Sequence, residues 1–232
     1  MTVTSQWIDI ETGDGRMQGY LALPRAGKGP GVVIVQEIFG VNGHIRSIAE
    51  QYALAGYVAI APDIFWRSEP RVELGYDGAD RDKAMALFKA ADVEKTLGDL
   101  GATVRALKSR PETVGKTAAV GYCFGGRLAY LMAARGGIDA AVAYYGGGIQ
   151  NQLDEADKLS VPVLFHFGDQ DGSIPMDAVE QIKARVAGKP GTELYVYEGA
   201  GHGFNCTDRA SYDQRASALA LGRTMTFLAS RV

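Results

Sequence analysis

The chain has 232 residues, 47% of them hydrophobic and 22% charged, with a formal net charge of -3. Such a chain buries a large core without staples, and its mild acidity carries no electrostatic footprint for nucleic acid. Two cysteines, Cys123 and Cys206, are too few for a disulfide framework or a structural zinc site, and no apolar run reaches the roughly 18 to 20 residues a membrane-spanning helix needs.

The first ten residues include Trp7 and Asp9 and lack the basic-then-apolar layout of a signal peptide, so the expected compartment is the cytoplasm, where a free thiol stays reduced. Ile8 and Ile10 allow a strand at the start. Residues 17–23 alternate like an exposed or edge strand. Residues 32–35 read as the next strand, 44–55 as a helix and 57–61 as a strand. Residues 75–78 form the most loop-like interior stretch, and 81–108 read as one long helix. The second half repeats the alternation: strand 117–121, helix 126–135, strand 140–145, strand 162–167, helix 176–187, strand 193–197 and helix 212–229. Ser160-Val161-Pro162 and Lys189-Pro190-Gly191 punctuate these later elements. Several strands are almost continuously apolar, as parallel strands covered on both faces are. The expectation is one α/β domain over 1–232, with a mainly parallel central sheet flanked by helices and right-handed crossovers.

The sharpest local signal is Gly121-Tyr122-Cys123-Phe124-Gly125-Gly126, lying between a predicted strand and a predicted helix. It has the spacing of a nucleophile elbow with cysteine in the place of serine. A turn that tight needs small flanking residues, and it leaves the sulfur at a helix start, where N–H groups and the helix dipole favour a thiolate. The N–H of Phe124 then points to where a carbonyl oxygen becomes an oxyanion. The alternative is a glycine-rich turn around an inert buried cysteine.

After strand 162–167 comes Gly168-Asp169-Gln170-Asp171-Gly172-Ser173-Ile174-Pro175, at the kind of strand end where catalytic groups gather. Two aspartates compete for the role of orienting acid, and the layout favours Asp171. Gly199-Ala200-Gly201-His202-Gly203-Phe204 follows the last strand; its small residues let an imidazole approach other backbone closely. The other histidines differ: His166, inside an apolar strand, reads as a satisfied core residue, and His44, opening a helix, as a surface or capping residue. The order nucleophile, acid, histidine is that of the α/β-hydrolase fold.

With these residues placed, the chain resembles the dienelactone hydrolase (carboxymethylenebutenolidase) family from about Met17 to Leu228. The most specific shared runs are Gln36-Glu37-Ile38-Phe39-Gly40, the cysteine elbow, Tyr144-Tyr145-Gly146 and Gly201-His202-Gly203-Phe204. The resemblance implies a Cys123–His202–Asp171 triad that opens an ester or lactone through a thioester, with maleylacetate-type products from a dienelactone-like substrate. It implies Ile38 as a second oxyanion donor beside Phe124, and Glu37 as an acid that interacts with the resting thiol. It implies Arg81, Phe39 and Tyr145 as substrate-binding residues. No cofactor, metal, nucleic acid or membrane is implied; the partner is a small-molecule ester or lactone, and the chain is expected as a monomer or weak homo-oligomer. The chain departs from the pattern at Cys206, where a second carboxylate-binding arginine is expected; a cysteine lacks the charged fork, and Arg209 lies nearby. Two other hydrolase readings stay open, a broader carboxylesterase or thioesterase, as does a ligand sensor on the same scaffold. A glutamine amidotransferase fails, because Gly203 and Phe204 follow His202 where that class needs a glutamate two residues on.

Overall fold

The computed structural model describes residues 3–232, which form two compact units, one ending at Thr117 and the other beginning at Ala118. The division falls inside a single strand. The fold is α/β throughout.

In the first unit, β1 (Thr4–Glu11) pairs antiparallel with β2 (Arg16–Leu23), and β2 pairs antiparallel with β4 (Val58–Pro62). β3 (Gly29–Val35) lies parallel to β4. Every residue of β4 and the run Val32–Val35 is buried, which explains why these strands read as solid apolar runs rather than alternating ones. Helix α1 (Gly43–Leu54) packs on β2, β3 and β4, and α3 (Val93–Lys108) on β1, β3 and β4.

Two expectations change here. The helix read over 81–108 is two helices, α2 (Gly78–Ala90) and α3. The Asp92 carboxylate accepts from the N–H groups of Glu94 and Lys95, at 3.0 and 3.1 Å, so a local cap starts a new helix instead of continuing the old one. His44 is buried, not a surface or capping residue. The Asn42 side chain, and not His44, caps α1 by accepting from Ile45 N–H at 3.2 Å, and the imidazole is buried.

In the second unit, the part of β5 (Thr113–Tyr122) from Ala118 onward, β6 (Ala140–Tyr144), β7 (Val163–Gly168) and β8 (Glu193–Tyr197) run parallel in sequence order. Helix α4 (Phe124–Arg135) packs on β6, and α6 (Gln214–Ala229) on β7. A 3-10 helix over Ile149–Lys158, which no periodicity announced, separates β6 from β7 and packs against α4 and α5 (Met176–Val186). His166 is the satisfied core residue expected of it. Its Nδ1 lies 2.8 Å from the Tyr197 hydroxyl and its Nε2 2.9 Å from Thr224 Oγ1, and burial pushes its pKa down to about 3.

Candidate active site

Cys123 stands between the last residue of β5 and the first of α4, at φ 55 and ψ -113. A non-glycine residue rarely adopts this backbone, and it persists only where the surroundings impose it. Two hydrogen bonds impose it. The Cys123 N–H donates to the Tyr144 carbonyl at 3.0 Å, and the Cys123 carbonyl accepts from Gly126 N–H at 3.0 Å. A side chain on Gly121 would run into the Gly125 carbonyl, and one on Gly126 into that of Tyr144. The glycines are therefore what allow strand and helix to meet at so sharp an angle. Phe124, the first residue of α4, places its N–H in the helix's opening turn, beside the half-buried Cys123.

The two aspartates after β7 separate cleanly. Asp169 Oδ1 accepts from Gly199 N–H at 2.7 Å and closes the turn after β8. The Asp171 carboxylate is buried and held by the N–H groups of Ser173 and Ile174, at 2.8 and 3.1 Å on Oδ1. Its other oxygen, Oδ2, lies 2.8 Å from His202 Nδ1. The opposite nitrogen, His202 Nε2, lies 3.1 Å from Cys123 Sγ. Sulfur, imidazole and carboxylate thus form one continuous hydrogen-bonded line, contributed by the carboxyl ends of β5, β8 and β7.

Burial opposes charge on His202 more than any other single influence, yet the neighbouring Cys123 sulfur and the Asp171 carboxylate outweigh it and raise the pKa to about 10. An imidazolium donates from both nitrogens, Nδ1–H to the carboxylate and Nε2–H to a thiolate. Opposite charges at this range favour each other strongly in a partly dry site.

Several contributors escaped sequence reasoning. Ser211 donates its hydroxyl to the His202 carbonyl at 2.7 Å and pins the histidine loop. Arg127, one turn beyond Cys123, lies with its guanidinium 5.0 Å from the Phe124 ring centroid. Burial pushes its pKa down and the Cys123 charge pushes it up. A lone arginine in the apolar run after Gly126 was the available signal. Arg209 lies across Gly203, with Nε 2.9 Å from where a side chain there would begin. Cys206 is fully buried.

The remaining expected site residues are placed as follows. Tyr145 is fully buried, its ring centroid 5.2 Å from that of His202. Glu37, Ile38, Phe39 and Arg81 belong to the first unit. Glu37 is fully buried just beyond β3, and Ile38 partly so. Phe39 packs against Val72, Leu74 and Ala84, its ring 4.5 Å from that of Tyr76. Arg81 is exposed in the first turn of α2.

A sequence model of the dienelactone hydrolase family matches residues 17–232. The chain belongs to that family. It is 39% identical over 227 residues to a carboxymethylenebutenolidase of Pseudomonas putida, covering 97% of this chain and 96% of the relative. A carboxymethylenebutenolidase of Pseudomonas sp. strain P51 is 36% identical over 217 residues, with 93% and 91% covered. The crystal structure of a proposed dienelactone hydrolase from Klebsiella pneumoniae superposes with a TM-score of 0.88 at 30% identity, covering 99% of each chain. As a family member, the protein is a hydrolase of ester or lactone bonds. Among the described residues, no helix is long and apolar enough to cross a membrane.

Proposed function

We propose that the protein opens a small lactone or ester by nucleophilic catalysis, with Cys123 as nucleophile, His202 as proton carrier and Asp171 as the acid that steadies it. The observation that carries this reading is the unbroken line from Cys123 Sγ through both His202 nitrogens to Asp171 Oδ2, at 3.1 and 2.8 Å. The thiolate attacks the carbonyl carbon and an S–C bond forms, with the negative charge moving to the carbonyl oxygen. The Phe124 N–H supports that oxyanion; family resemblance assigns the second donor to Ile38 N–H. Collapse breaks the C–O bond. The leaving oxygen takes the Nε2 proton of His202, either as the C–O bond breaks or, having departed as an enolate, directly afterwards. The neutral imidazole then draws a proton from water, hydroxide adds to the thioester, and C–S cleavage restores the thiolate.

A dienelactone-like substrate, giving a maleylacetate-type product, is the reading that the carboxymethylenebutenolidase relatives favour. Resemblance assigns Glu37 to the resting thiol and Arg81 and Phe39 to the substrate. The dependence on a free thiol favours a reducing, cytoplasmic setting.

Cys123→Ala tests the mechanism: turnover of a lactone or activated aryl ester should vanish, together with the thioester adduct seen by mass spectrometry after rapid quenching. Near-full activity in this variant would end the proposal.

A second reading, a broader carboxylesterase, draws on Cys206, which is buried and lacks a guanidinium where a carboxylate-gripping arginine is expected. Arg209, lying across Gly203 beside His202, speaks for a replacement grip. A panel of esters with and without an adjacent carboxylate separates the two. If Arg209 binds substrate, Arg209→Ala raises KM about tenfold for carboxylated members only, the loss of one charged hydrogen bond. Indifference across the panel favours the broader esterase.

A further inference from the structure

We propose that Tyr145 is a positioning residue whose ring forms the wall that sets the plane of the His202 imidazole. The inference rests on the role proposed above for His202 and adds a part that neither the elbow nor the acid supplies.

The backbone points to it first. Tyr145 has φ 36, a left-handed conformation that bulky residues rarely adopt. Three glycines follow it, Gly146, Gly147 and Gly148, any of which would take such a turn at lower cost. The strain instead falls on a residue whose ring meets the imidazole. Strain of this kind survives only when the surroundings over-determine it, and it concentrates at functional sites. The Tyr145 N–H donates to the His166 carbonyl at 2.7 Å, and His166 is itself clamped on both ring nitrogens by Tyr197 and Thr224. The wall is therefore anchored in β7.

The ring contact points the same way. Tyr145 meets His202 edge to face, with centroids 5.2 Å apart and planes at 61°. It meets Phe204 in the same manner, at 5.2 Å and 77°. Phe204 is two residues past His202, so Tyr145 braces the histidine loop at the imidazole and again just beyond it. The Asp171 contact restrains the imidazole at Nδ1 alone. Rotation about that bond would swing Nε2 away from Cys123 Sγ, and a packed aromatic edge prevents it. Tyr145 has no exposed surface, so it acts on the imidazole and not on a substrate arriving from water, which revises the substrate-binding role expected from resemblance.

The experiment compares Tyr145→Phe and Tyr145→Leu in the full chain. It measures kcat and KM on a neutral aryl ester, the thermal midpoint, and the NMR signal of the His202 Nδ1 proton without substrate. The phenylalanine keeps the wall, so kcat and the proton signal should stay within about twofold of the parent. The leucine removes it, so kcat should fall about tenfold or more with KM nearly unchanged, and the proton signal should broaden or shift upfield. A leucine variant with parental kcat and an unaltered signal overturns the proposal. So does a tenfold loss in the phenylalanine variant, which would place the role in the hydroxyl. The phenylalanine variant can still overturn the proposal if the leucine variant does not fold. The resonance is read without turnover, so it reports on Tyr145 even if Cys123→Ala proves active and the mechanism fails.

Discussion

Gly168 and Ala200 approach so closely that any side chain on Gly168 would collide with the Ala200 carbonyl. That carbonyl also accepts from Gln170 N–H at 3.0 Å, so the loop bearing Asp171 and the loop bearing His202 are zipped together at their roots. The 2.8 Å contact between the two catalytic candidates is a consequence of this backbone approach. Gly168→Ala should push the loops apart. The expected result is a destabilisation of about 1–3 kcal/mol, as for other overpacked sites, with a larger proportional loss of kcat. Thermal melts and turnover on the same sample check it; full activity with an unchanged midpoint would show that the loops do not depend on this contact.

The two aspartates should part company under substitution. Asp171→Asn keeps the shape but removes the charge that orients and stabilises the imidazolium, and kcat should fall about 10²–10⁴-fold. Asp169→Asn touches only the Gly199 N–H contact and should cost about 1 kcal/mol of stability, with kcat little changed. The reverse ranking would reassign the acid.

The pH dependence follows from His202. Its folded pKa of about 10 lies above the ordinary value of 6.5, so the folded state holds a proton that the unfolded state has lost between those limits. The stability this contributes is fully present below pH 6.5 and is lost as pH rises through 10. The Nε2–H that His202 offers to Cys123 Sγ is lost over the same range. A profile of kcat/KM, corrected for background hydrolysis, should therefore show an alkaline limb near pH 10, and Asp171→Asn should move that limb to lower pH. A limb near neutrality in the parent would contradict the coupling.

His166 has the opposite sign. Its folded pKa of about 3 means that the unfolded chain binds a proton between pH 6.5 and 3 while the folded chain does not. Stability should drop by about 1.4 kcal/mol for each pH unit across that window through this residue alone. His166→Gln removes the proton difference, so urea unfolding at pH 7 and pH 5 should reveal a shallower decline in the variant, whatever its absolute stability. An equal decline in both would mean that His166 is not held neutral.

The linear order of residues specifies the alternating strands, the glycine-flanked cysteine, and the succession of Cys123, an aspartate loop and His202. These are local matters: apolar runs, turn-forming glycines and their spacing reflect backbone sterics over a few neighbours. What spacing cannot carry is the direction a side chain takes once its loop has packed. Asp169 and Asp171 stand two residues apart in the same turn, and only the approach of the Gly199–His202 loop gives one to a backbone N–H and the other to the imidazole. His44 read as a surface or capping residue because its place at a helix start does not tell that Asn42 takes the cap and that the imidazole is buried. The long helix divided at Asp92 because a side-chain cap outcompetes a helix pattern that runs straight through it. Tyr145, unremarkable in the sequence beyond its motif, acquires its place under His202 from a carbonyl on the neighbouring strand and from a backbone turn that the assembled second unit alone makes tolerable.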